Sequence, residues 1–428
     1  MVRLLYSLIL ASMLPLMVVR LFWRSRSQRG YRENIGERFG RYDAPALQNC
    51  IWIHAVSVGE TRAAQPVVRR LRETNPGRAI LLTCMTPTGR ATAHELFGDT
   101  VTSVFLPYDL VGLHSRLITR FSPSVLLVME TEIWPNLFLA CRRNNIPSLI
   151  VNARLSEKSL RGYLRFAPIR TLIRDALQSA KTVAAQSAAD AERLRLLGAG
   201  QTEVTGNIKF DVRREPALQQ LGEQWRATQL LRRVLLCAST REGEEALLLA
   251  AYASTFDLDA RRNTLLIIVP RHPQRFDQVA AGIAAAGLSC SHRSSLGANA
   301  LAQSSTEVFL GDSMGEMTAY YAMCDLAIIG GSFLPLGGQN LIEACALGKP
   351  VVMGPSTFNF TEVAKLANES GAMLAVADAV QAMQAARALL GDPERCRRMS
   401  DAGLALVEQN RGATEKTLAL VAAALGSG

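Results

Sequence analysis

Residues 125–136 read Val-Leu-Leu-Val-Met-Glu-Thr-Glu-Ile-Trp-Pro-Asn, and they indicate the fold class of the chain. Its first five residues are an uninterrupted apolar run, which is typical of a parallel strand buried on both faces. Glu130 then ends the strand, and Glu132 lies at the start of the next helix. Two nearby carboxylates raise each other's pKa, which suits acid–base chemistry but also occurs where such residues only cap a helix.

The same alternation of short apolar runs and longer amphipathic segments extends over most of the chain. It falters in the polar stretch 210–233 and then restarts. This pattern predicts two doubly wound α/β domains that face each other across a cleft and bind ligands at the carboxyl ends of their strands. The predicted strands are 51–55, 80–84, 101–105, 125–129, 149–151 and 183–185, then 234–238, 265–269, 308–310, 326–329 and 351–353.

The N-terminal segment has the character of a membrane anchor. Sixteen uncharged, mostly apolar residues separate Arg3 from Arg20, and as a helix they reach about 24 Å, short of a hydrocarbon core of about 30 Å unless both arginines snorkel. Aromatic and basic residues follow at 21–26 in place of a small-residue cleavage site, which favours an uncleaved anchor over a signal peptide. The arginine-rich flank predicts that the rest of the chain is cytoplasmic, and the pattern leaves open whether the helix spans the membrane or lies in its interface.

Composition narrows the class of protein. The 428 residues are 49% hydrophobic and 20% charged, which excludes a disordered or fibrous chain. Residues 1–41 hold eight arginines and two glutamates, and residues 154–174 hold six basic residues and one glutamate, so two segments account for the net charge of +10. Such concentrated basicity does not suit nucleic acid. Eight cysteines without a C-x-x-C pair and five scattered histidines indicate buried thiols in a reducing compartment and disfavour a zinc site.

Two motifs follow predicted strands closely. Ser57-Val58-Gly59-Glu60 fits a tight turn from strand to helix, with Glu60 at the mouth of the sheet; the alternative is a glutamate that only offsets the helix dipole. Gly330-Gly331-Ser332, followed by Gly337-Gly338-Gln339-Asn340 and a helix through Glu343, has the glycines with which backbone N–H groups approach a phosphate. A structural glycine turn is the alternative there. Neither the P-loop pattern nor G-x-G-x-x-G is present.

Two further loops of the second half end strands in the same way. Pro270-Arg271-His272-Pro273 offers a basic pair between prolines, and the segment 311–317 offers two glycines and two carboxylates. Three strand ends with glycine backbone, arginine and histidine favour a nucleotide pocket over unrelated turns. Asp257-Leu258-Asp259 resembles a metal-binding D-x-D, but no strand precedes it and we assign it to solvent.

In combination these motifs resemble the bacterial Kdo transferases, which add 3-deoxy-D-manno-octulosonic acid (Kdo) to lipid A precursors. The resemblance covers essentially the whole chain, including the N-terminal anchor. One departure is Gln339, where many members carry histidine. The motifs that carry the resemblance are Ser57-Val58-Gly59-Glu60, Met129-Glu130-Thr131-Glu132-Ile133-Trp134-Pro135-Asn136, Gly206-Asn207-Ile208-Lys209-Phe210-Asp211, Pro270-Arg271-His272-Pro273, Gly311-Asp312-Ser313-Met314-Gly315-Glu316-Met317, and Gly330-Gly331-Ser332 with Gly338-Gln339-Asn340 and Glu343.

The resemblance implies a GT-B fold, with CMP-Kdo as the donor of the sugar and the lipid A precursor lipid IVA as its acceptor. It also implies a reaction that inverts the anomeric carbon and needs neither a metal ion nor another cofactor. It implies that Glu60 is the general base and that Glu130 and Lys209 stabilise the transition state. The residues that we expect to bind the donor lie in the three loops of the second half and include the glycine loop. They are Arg271, His272, Met314, Gly315, Glu316, Gly330, Gly331, Ser332, Asn340, Leu341, Ile342 and Glu343.

An acylated, phosphorylated acceptor requires a basic and partly apolar face. Lys158, Arg161 and Arg165 follow helical spacing with apolar residues between them, although a solvated helix face has the same pattern. Ser57 and Gly59 are further acceptor candidates. We also expect a single-pass N-terminal anchor in the bacterial inner membrane, with the catalytic domains on its cytoplasmic side. There the protein should contact anionic lipid, and no contact with nucleic acid is expected.

The predicted domains are an anchor (1–24), an acceptor domain (25–212), a linker (213–233), a donor domain (234–410) and a C-terminal helix (411–428). Two alternative functions remain open at this point. One is a GT-B transferase that uses another nucleotide sugar, such as a UDP-sugar. The other is a non-enzymatic, membrane-tethered module that binds nucleotides or lipopolysaccharide.

Overall fold

The computed structural model describes residues 2–26, 28–212, 215–297 and 306–426. The chain separates into two compact units: unit 1 comprises Met1–Asp211 and Asn410–Gly428, and unit 2 comprises Val212–Gln409. Each unit contains one parallel sheet with helices packed on it.

Unit 1 is built on seven parallel strands, most of which are buried along their whole length because helices cover both faces of the sheet. The strands are β1 Cys50–His54, β2 Ile80–Cys84, β3 Thr102–Phe105, β4 Pro123–Met129, β5 Ser148–Ala153, β6 Thr182–Ala185 and β7 Thr202–Val204. Their order is β3-β2-β1-β4-β5-β6-β7. The helices in this part are α1 Val2–Arg24, α2 Val58–Thr74, α3 Pro87–Phe97, α4 Leu113–Phe121, α5 Pro135–Arg143, α6 Glu157–Leu164, α7 Ala167–Ser179 and α8 Ala188–Leu197.

Unit 2 has a second parallel sheet of seven strands. They are β8 Arg233–Thr240, β9 Thr264–Pro270, β10 Cys290–His292, β11 Val308–Leu310, β12 Leu326–Ile329, β13 Val351–Met353 and β14 Met373–Ala375, in the order β10-β11-β9-β8-β12-β13-β14. The remaining helices are α9 Pro216–Ala227, α10 Glu244–Thr255, α11 Leu258–Arg262, α12 Phe276–Ala285, α13 Met317–Met323, α14 Ile342–Ala346, α15 Thr361–Glu369, α16 Ala379–Leu390, α17 Pro393–Asn410 and α18 Ala413–Leu425.

The C-terminal helix α18 belongs to unit 1 for a local reason. The carboxylate of Asp211, at the end of the first stretch of unit 1, accepts hydrogen bonds from the backbone N–H groups of Gly412 at 2.7 Å and of Thr414. These are N–H groups of the first turn of α18, which lack partners within the helix. Asp211 therefore caps α18, which packs against α2.

The predicted doubly wound α/β fold is confirmed. The three short strands β7, β10 and β14 were not predicted, and α9 lies within the predicted linker 213–233. Residues 213 and 214 of that linker lie outside the described residues. The described remainder is not an extended connector, because α9 packs against α13 of unit 2 and buries Trp225 completely.

Helix α1 is long and apolar enough to cross a membrane. It has 23 residues and a mean hydropathy of 2.0 over its most apolar window, and only a small part of it is buried. The helix is consistent with a membrane-associated protein.

Candidate active site

In unit 1 the order of the strands reverses between β1 and β4, which lie side by side. Ligands of open parallel sheets bind at such a point, beyond the carboxyl ends of the strands. Ser57 and Glu60 follow β1, and Glu130 and Glu132 follow β4. The two predicted carboxylate motifs are therefore brought together at this edge of the sheet.

Glu60 lies in the first turn of α2 with only 8% of its surface exposed. Its Oε2 accepts a hydrogen bond from the backbone N–H of Val56 at 2.6 Å, and its Oε1 accepts one from the hydroxyl of Ser57 at 2.9 Å. Ser57 is also the N-cap of α2 and accepts from the N–H of Glu60 at 3.4 Å. The helix-capping interpretation of Glu60 is thus part of its structure, but it does not account for the burial of the carboxyl group.

Burial, together with the charges of Glu132 and Glu130, raises the pKa of Glu60 to about 8. The hydrogen bonds from Val56 and Ser57 act in the opposite direction. The first turn of a helix favours an ionised carboxylate, but at Glu60 burial outweighs that effect. A carboxyl group with a pKa near neutrality is well matched to proton transfer at physiological pH.

The loop between β4 and α5 is held by an unusual backbone geometry. Glu130 has a φ of +56°, in the left-handed region, and its N–H donates to Val151 O at 2.9 Å. The hydroxyl of Thr131 donates to the carbonyl of Arg154 and accepts from its N–H. Strained backbone of this kind persists where the surroundings enforce it, and it is concentrated at functional sites.

Glu132 is fixed by an aromatic neighbour in the same loop. The indole of Trp134 donates to Glu132 Oε2 at 3.1 Å, and its ring meets that of the fully buried His54 edge-on at 6.0 Å. Burial raises the pKa of Glu132, as does the charge of Glu130. Burial lowers the pKa of His54 to about 3, so this imidazole stays neutral.

Lys209 joins this group from the 3₁₀ turn Ile208–Phe210. Burial lowers the pKa of its ammonium group and Arg154 lowers it further, whereas Glu130 acts to raise it. Asn152, at the end of β5, holds the turn because its side-chain oxygen accepts from the N–H of Ile208 at 3.1 Å. Glu60, Glu130, Glu132 and Lys209 thus form one cluster of charged groups.

In unit 2 a basic group follows β9. Arg271 and His272 are half-buried, and burial lowers the pKa of His272, as do the neighbouring charges of Arg241, Arg271 and Arg275. Arg275 is paired with Glu245 through two hydrogen bonds of 2.7 and 3.0 Å. The group is suited to bind an anion.

The glycine loop after β12 is held in place by a buried carboxylate. The N–H of Gly331 donates at 2.6 Å and that of Phe333 at 2.9 Å to the carboxylate of Glu244, which is fully buried and also accepts from Arg241 N at 2.9 Å. A Cβ at Gly330 would lie 2.6 Å from Ser239 O, so this glycine permits close packing against β8. Two N–H groups of this loop are therefore paired with an internal carboxylate, and Ser332 is buried with its hydroxyl donating to Ile329 O. Contact of the loop with the donor stays a prediction.

The helix predicted after Gly337 is the short α14, which begins at Ile342. The Asn340 amide donates to Glu343 Oε1 at 2.8 Å, and its oxygen accepts from Ile342 N at 3.0 Å. Burial raises the pKa of Glu343, against the effect of Asn340 and of Arg271 nearby. Leu341 and Ile342 are buried in the core, so only their backbone groups are available to a ligand.

The loop 311–317, which follows β11 and was predicted to bind the donor, is held by Arg293. The sequence analysis did not identify this arginine. Its guanidinium contacts both oxygens of Glu316, at 2.9 and 3.0 Å, and lies 5.0 Å from the ring of Trp225. Met314 is 56% exposed and Gly315 has a φ of +82°. Glu316 therefore anchors the loop, while Met314 and Gly315 lie at its surface.

The acceptor candidates are accessible. Gly59 is exposed and Ser57 half-buried, and Lys158, Arg161 and Arg165 are exposed on or just after α6, with Arg161 paired to Glu157. In the described part of the chain, no group of three or more His, Cys, Asp or Glu is placed to hold a metal ion. Asp257 caps α11 and pairs with Arg387 at 2.6 Å.

Comparison with known proteins identifies the family. The model of 3-deoxy-D-manno-octulosonic-acid transferase (kdotransferase) matches residues 33–212, and that of glycosyl transferases group 1 matches residues 286–405. A 3-deoxy-D-manno-octulosonic acid transferase of Bordetella pertussis is 43% identical, with 96% of this chain and 97% of the relative aligned. One of Haemophilus influenzae is 36% identical, with 98% of each chain aligned.

A solved structure of low sequence identity resembles this chain in fold alone. The crystal structure of a UDP-GlcNAc 2-epimerase from Neisseria meningitidis superposes with a TM-score of 0.54 at 15% identity, over 88% of this chain and 100% of that one. The two sheets described above form a GT-B fold, and the near full-length matches at 43% and 36% identity confirm the resemblance found in the motifs. The chain is a glycosyltransferase and belongs to the 3-deoxy-D-manno-octulosonic acid transferase family.

Proposed function

We propose that this enzyme transfers Kdo from CMP-Kdo to a primary hydroxyl of lipid IVA, with inversion at the anomeric carbon and without a metal ion. The observation that carries the proposal is Glu60, whose buried carboxyl group has a pKa raised to about 8 and lies near the carboxylates of Glu130 and Glu132. As a general base it takes the proton of the acceptor hydroxyl while the hydroxyl oxygen bonds to the anomeric carbon. The bond from that carbon to the phosphate oxygen of CMP breaks in the same displacement.

The leaving group gains negative charge as CMP departs, and cations stabilise it. Arg271 beside His272 in unit 2 and Lys209 in unit 1 are such cations, and both arise from loops that follow strands. Glu343 and Asn340 are hydrogen-bonded to each other and near Arg271, which supports contact with the nucleoside. The charge of Glu130 acts to raise the pKa of Lys209, which favours the ammonium form that stabilises the developing charge.

The acceptor is anionic and acylated, so it requires cations beside apolar side chains. Lys158, Arg161 and Arg165 are exposed, as are Leu164 and Phe166. With the apolar helix α1 they support binding at the cytoplasmic face of the inner membrane, where α1 is the anchor.

The test is transfer by the purified full-length enzyme with CMP-Kdo and lipid IVA, with the product identified by mass spectrometry and its anomeric configuration by NMR. We expect Kdo to be added from CMP-Kdo and no sugar from a panel of UDP-sugars. Transfer from a UDP-sugar, or none from CMP-Kdo, would overturn the donor assignment. Glu60→Gln should bind CMP as before and transfer about 10² to 10⁴-fold more slowly.

A further inference from the structure

Helix α1 is attached near its N-terminal end to the rest of unit 1 by polar contacts. The hydroxyl of Tyr6 donates to Asp109 Oδ2 at 2.9 Å, and the amide of Asn136 donates to Ser7 Oγ at 3.1 Å. Ser7 is 8% exposed, and Asp109 and Asn136 are almost fully buried. A hydroxyl and a carboxylate paired in this way belong to a protein interior, because an unpaired polar group in hydrocarbon costs several kcal/mol.

The C-terminal end of α1 is attached to the same unit. Leu21 and Ser25 are buried, and the guanidinium of Arg32 lies 5.2 Å from the ring of Phe22. The turn Arg29–Arg32 packs against the start of α3, where a Cβ at Gly30 would lie 2.9 Å from Pro87 Cβ. Both ends of the helix therefore contact the rest of unit 1.

These two attachments restrict the orientation of α1 in a membrane. Ser7 and Leu21 are fourteen residues apart, about 21 Å along the helix. A helix crossing a hydrocarbon core of about 30 Å would carry residues 6 and 7 away from a cytoplasmic domain and into the lipid. Asp109 and Asn136 belong to unit 1 and could not accompany them.

The outward side of α1 is suited to lipid. Nine large apolar side chains are exposed on it, and α7, which contacts α1, adds the exposed Ile169 just after Leu164 and Phe166. Arginines lie at both ends of α1 and along α6 and α7, where they complement the phosphates of an anionic bilayer surface. The exposed residues of α1 are Leu4, Leu5, Leu8, Ile9, Met13, Leu16, Val19, Phe22 and Trp23.

We infer that α1 lies in the cytoplasmic interface of the membrane, held lengthwise against unit 1, and does not cross the bilayer. The inference rests on the membrane anchoring of the proposed function and specifies its geometry. Asp109 also accepts from the N–H groups of Asn136 at 3.1 Å and Leu137 at 2.9 Å, the first residues of α5. The docked helix thereby contacts the residues that end the Glu130–Trp134 loop, so the lipid surface lies at the same edge of the sheet as Glu60.

The location of the N-terminus tests this inference. A Cys-Ser-Gly extension is placed ahead of Met1 of the full-length enzyme, and a membrane-impermeant maleimide is applied to intact spheroplasts and to inverted membrane vesicles. We expect modification of the extension only in inverted vesicles, as for Asp401→Cys, an exposed position in unit 2. Modification in intact spheroplasts would overturn the interfacial geometry and leave membrane anchoring intact, whereas a protein absent from the membrane fraction would overturn both.

A second measurement tests the docking itself in detergent. Tyr6→Phe removes one hydroxyl that donates to a buried carboxylate, and we expect the thermal unfolding midpoint to fall by about 2–6 °C. Leu8→Ala, at an exposed position of the same helix, should leave the midpoint unchanged. Equal midpoints for Tyr6→Phe and the unaltered enzyme would overturn the docked arrangement.

Discussion

The backbone N–H of Val56 donates to Oε2 of Glu60 at 2.6 Å, so the Glu60 carboxyl group is turned back toward the end of strand β1. Ser57 fixes the other oxygen at 2.9 Å. Both oxygens are oriented, yet burial and two neighbouring carboxylates keep the pKa of the group near 8. The protonation state of this one residue therefore controls the proposed reaction.

The pH dependence of transfer follows directly. Because Glu60 acts as a base only when it is ionised, kcat/KM should rise about tenfold per pH unit up to pH 8 and then level off. The lowered pKa of Lys209 predicts a decline at a pH below that expected of an ordinary lysine. Lys209→Arg should remove this alkaline decline, because a guanidinium does not titrate there. A flat profile from pH 6 to 9 would contradict the base assignment.

The free energy of unfolding should also depend on the protonation of Glu60. The pKa of Glu60 is raised on folding, from about 4.5 to about 8, so its contribution to stability is present below pH 4.5 and is lost as the pH rises through 8. Glu60→Gln should therefore stabilise the enzyme more at pH 9 than at pH 5, by up to about 4 kcal/mol in the free energy of unfolding. Thermal melts at both pH values measure this difference. Glu95→Gln, at an exposed position of unit 1, should give none.

Much of the fold was predictable because the central strands are uninterrupted apolar runs. The edge strands β7 and β10 have three residues each, none fully buried, and so lack that pattern. The carboxylates Glu60 and Glu130 were found because they follow strands. Glu244 was missed because its partners include the N–H of Gly331, 87 positions away, and no local pattern reports such a contact.

Loss of the Glu244 carboxylate should be costly. In Glu244→Ala three backbone N–H groups, those of Arg241, Gly331 and Phe333, lose their acceptor in a buried place, at about 1–3 kcal/mol each. We expect a fall of several degrees in the unfolding midpoint and weaker binding of CMP by calorimetry. Glu244→Gln keeps one acceptor oxygen and should lose less, and the exposed neighbour Glu242→Ala should lose nothing. Unchanged CMP affinity in Glu244→Ala would show that the glycine loop does not contact the donor.

Chelation should leave activity unchanged. The charge on the departing CMP is assigned to Arg271 and Lys209, which are side chains and cannot be extracted. We expect full turnover after dialysis against excess EDTA, with Arg271→Ala as the comparison that removes one cation and slows transfer. Loss of activity on chelation, restored by a divalent ion, would contradict a metal-independent mechanism.

The final prediction concerns Asn152, which acts on Lys209 without being part of the charged cluster. Its φ is +56°, its side chain accepts from Ile208 N at 3.1 Å, and Lys209 is the next residue. Asn152→Ala removes that acceptor, so the turn that carries Lys209 should shift and kcat should fall about 10-fold or more, with little change in the KM for the donor. Asn152→Asp keeps an acceptor oxygen and should retain most of the activity. Asn145→Ala is the matched control, because Asn145 has a φ of +54° but is exposed at the end of α5. If both alanine variants slow transfer equally, backbone strain and not the contact to Ile208 is responsible.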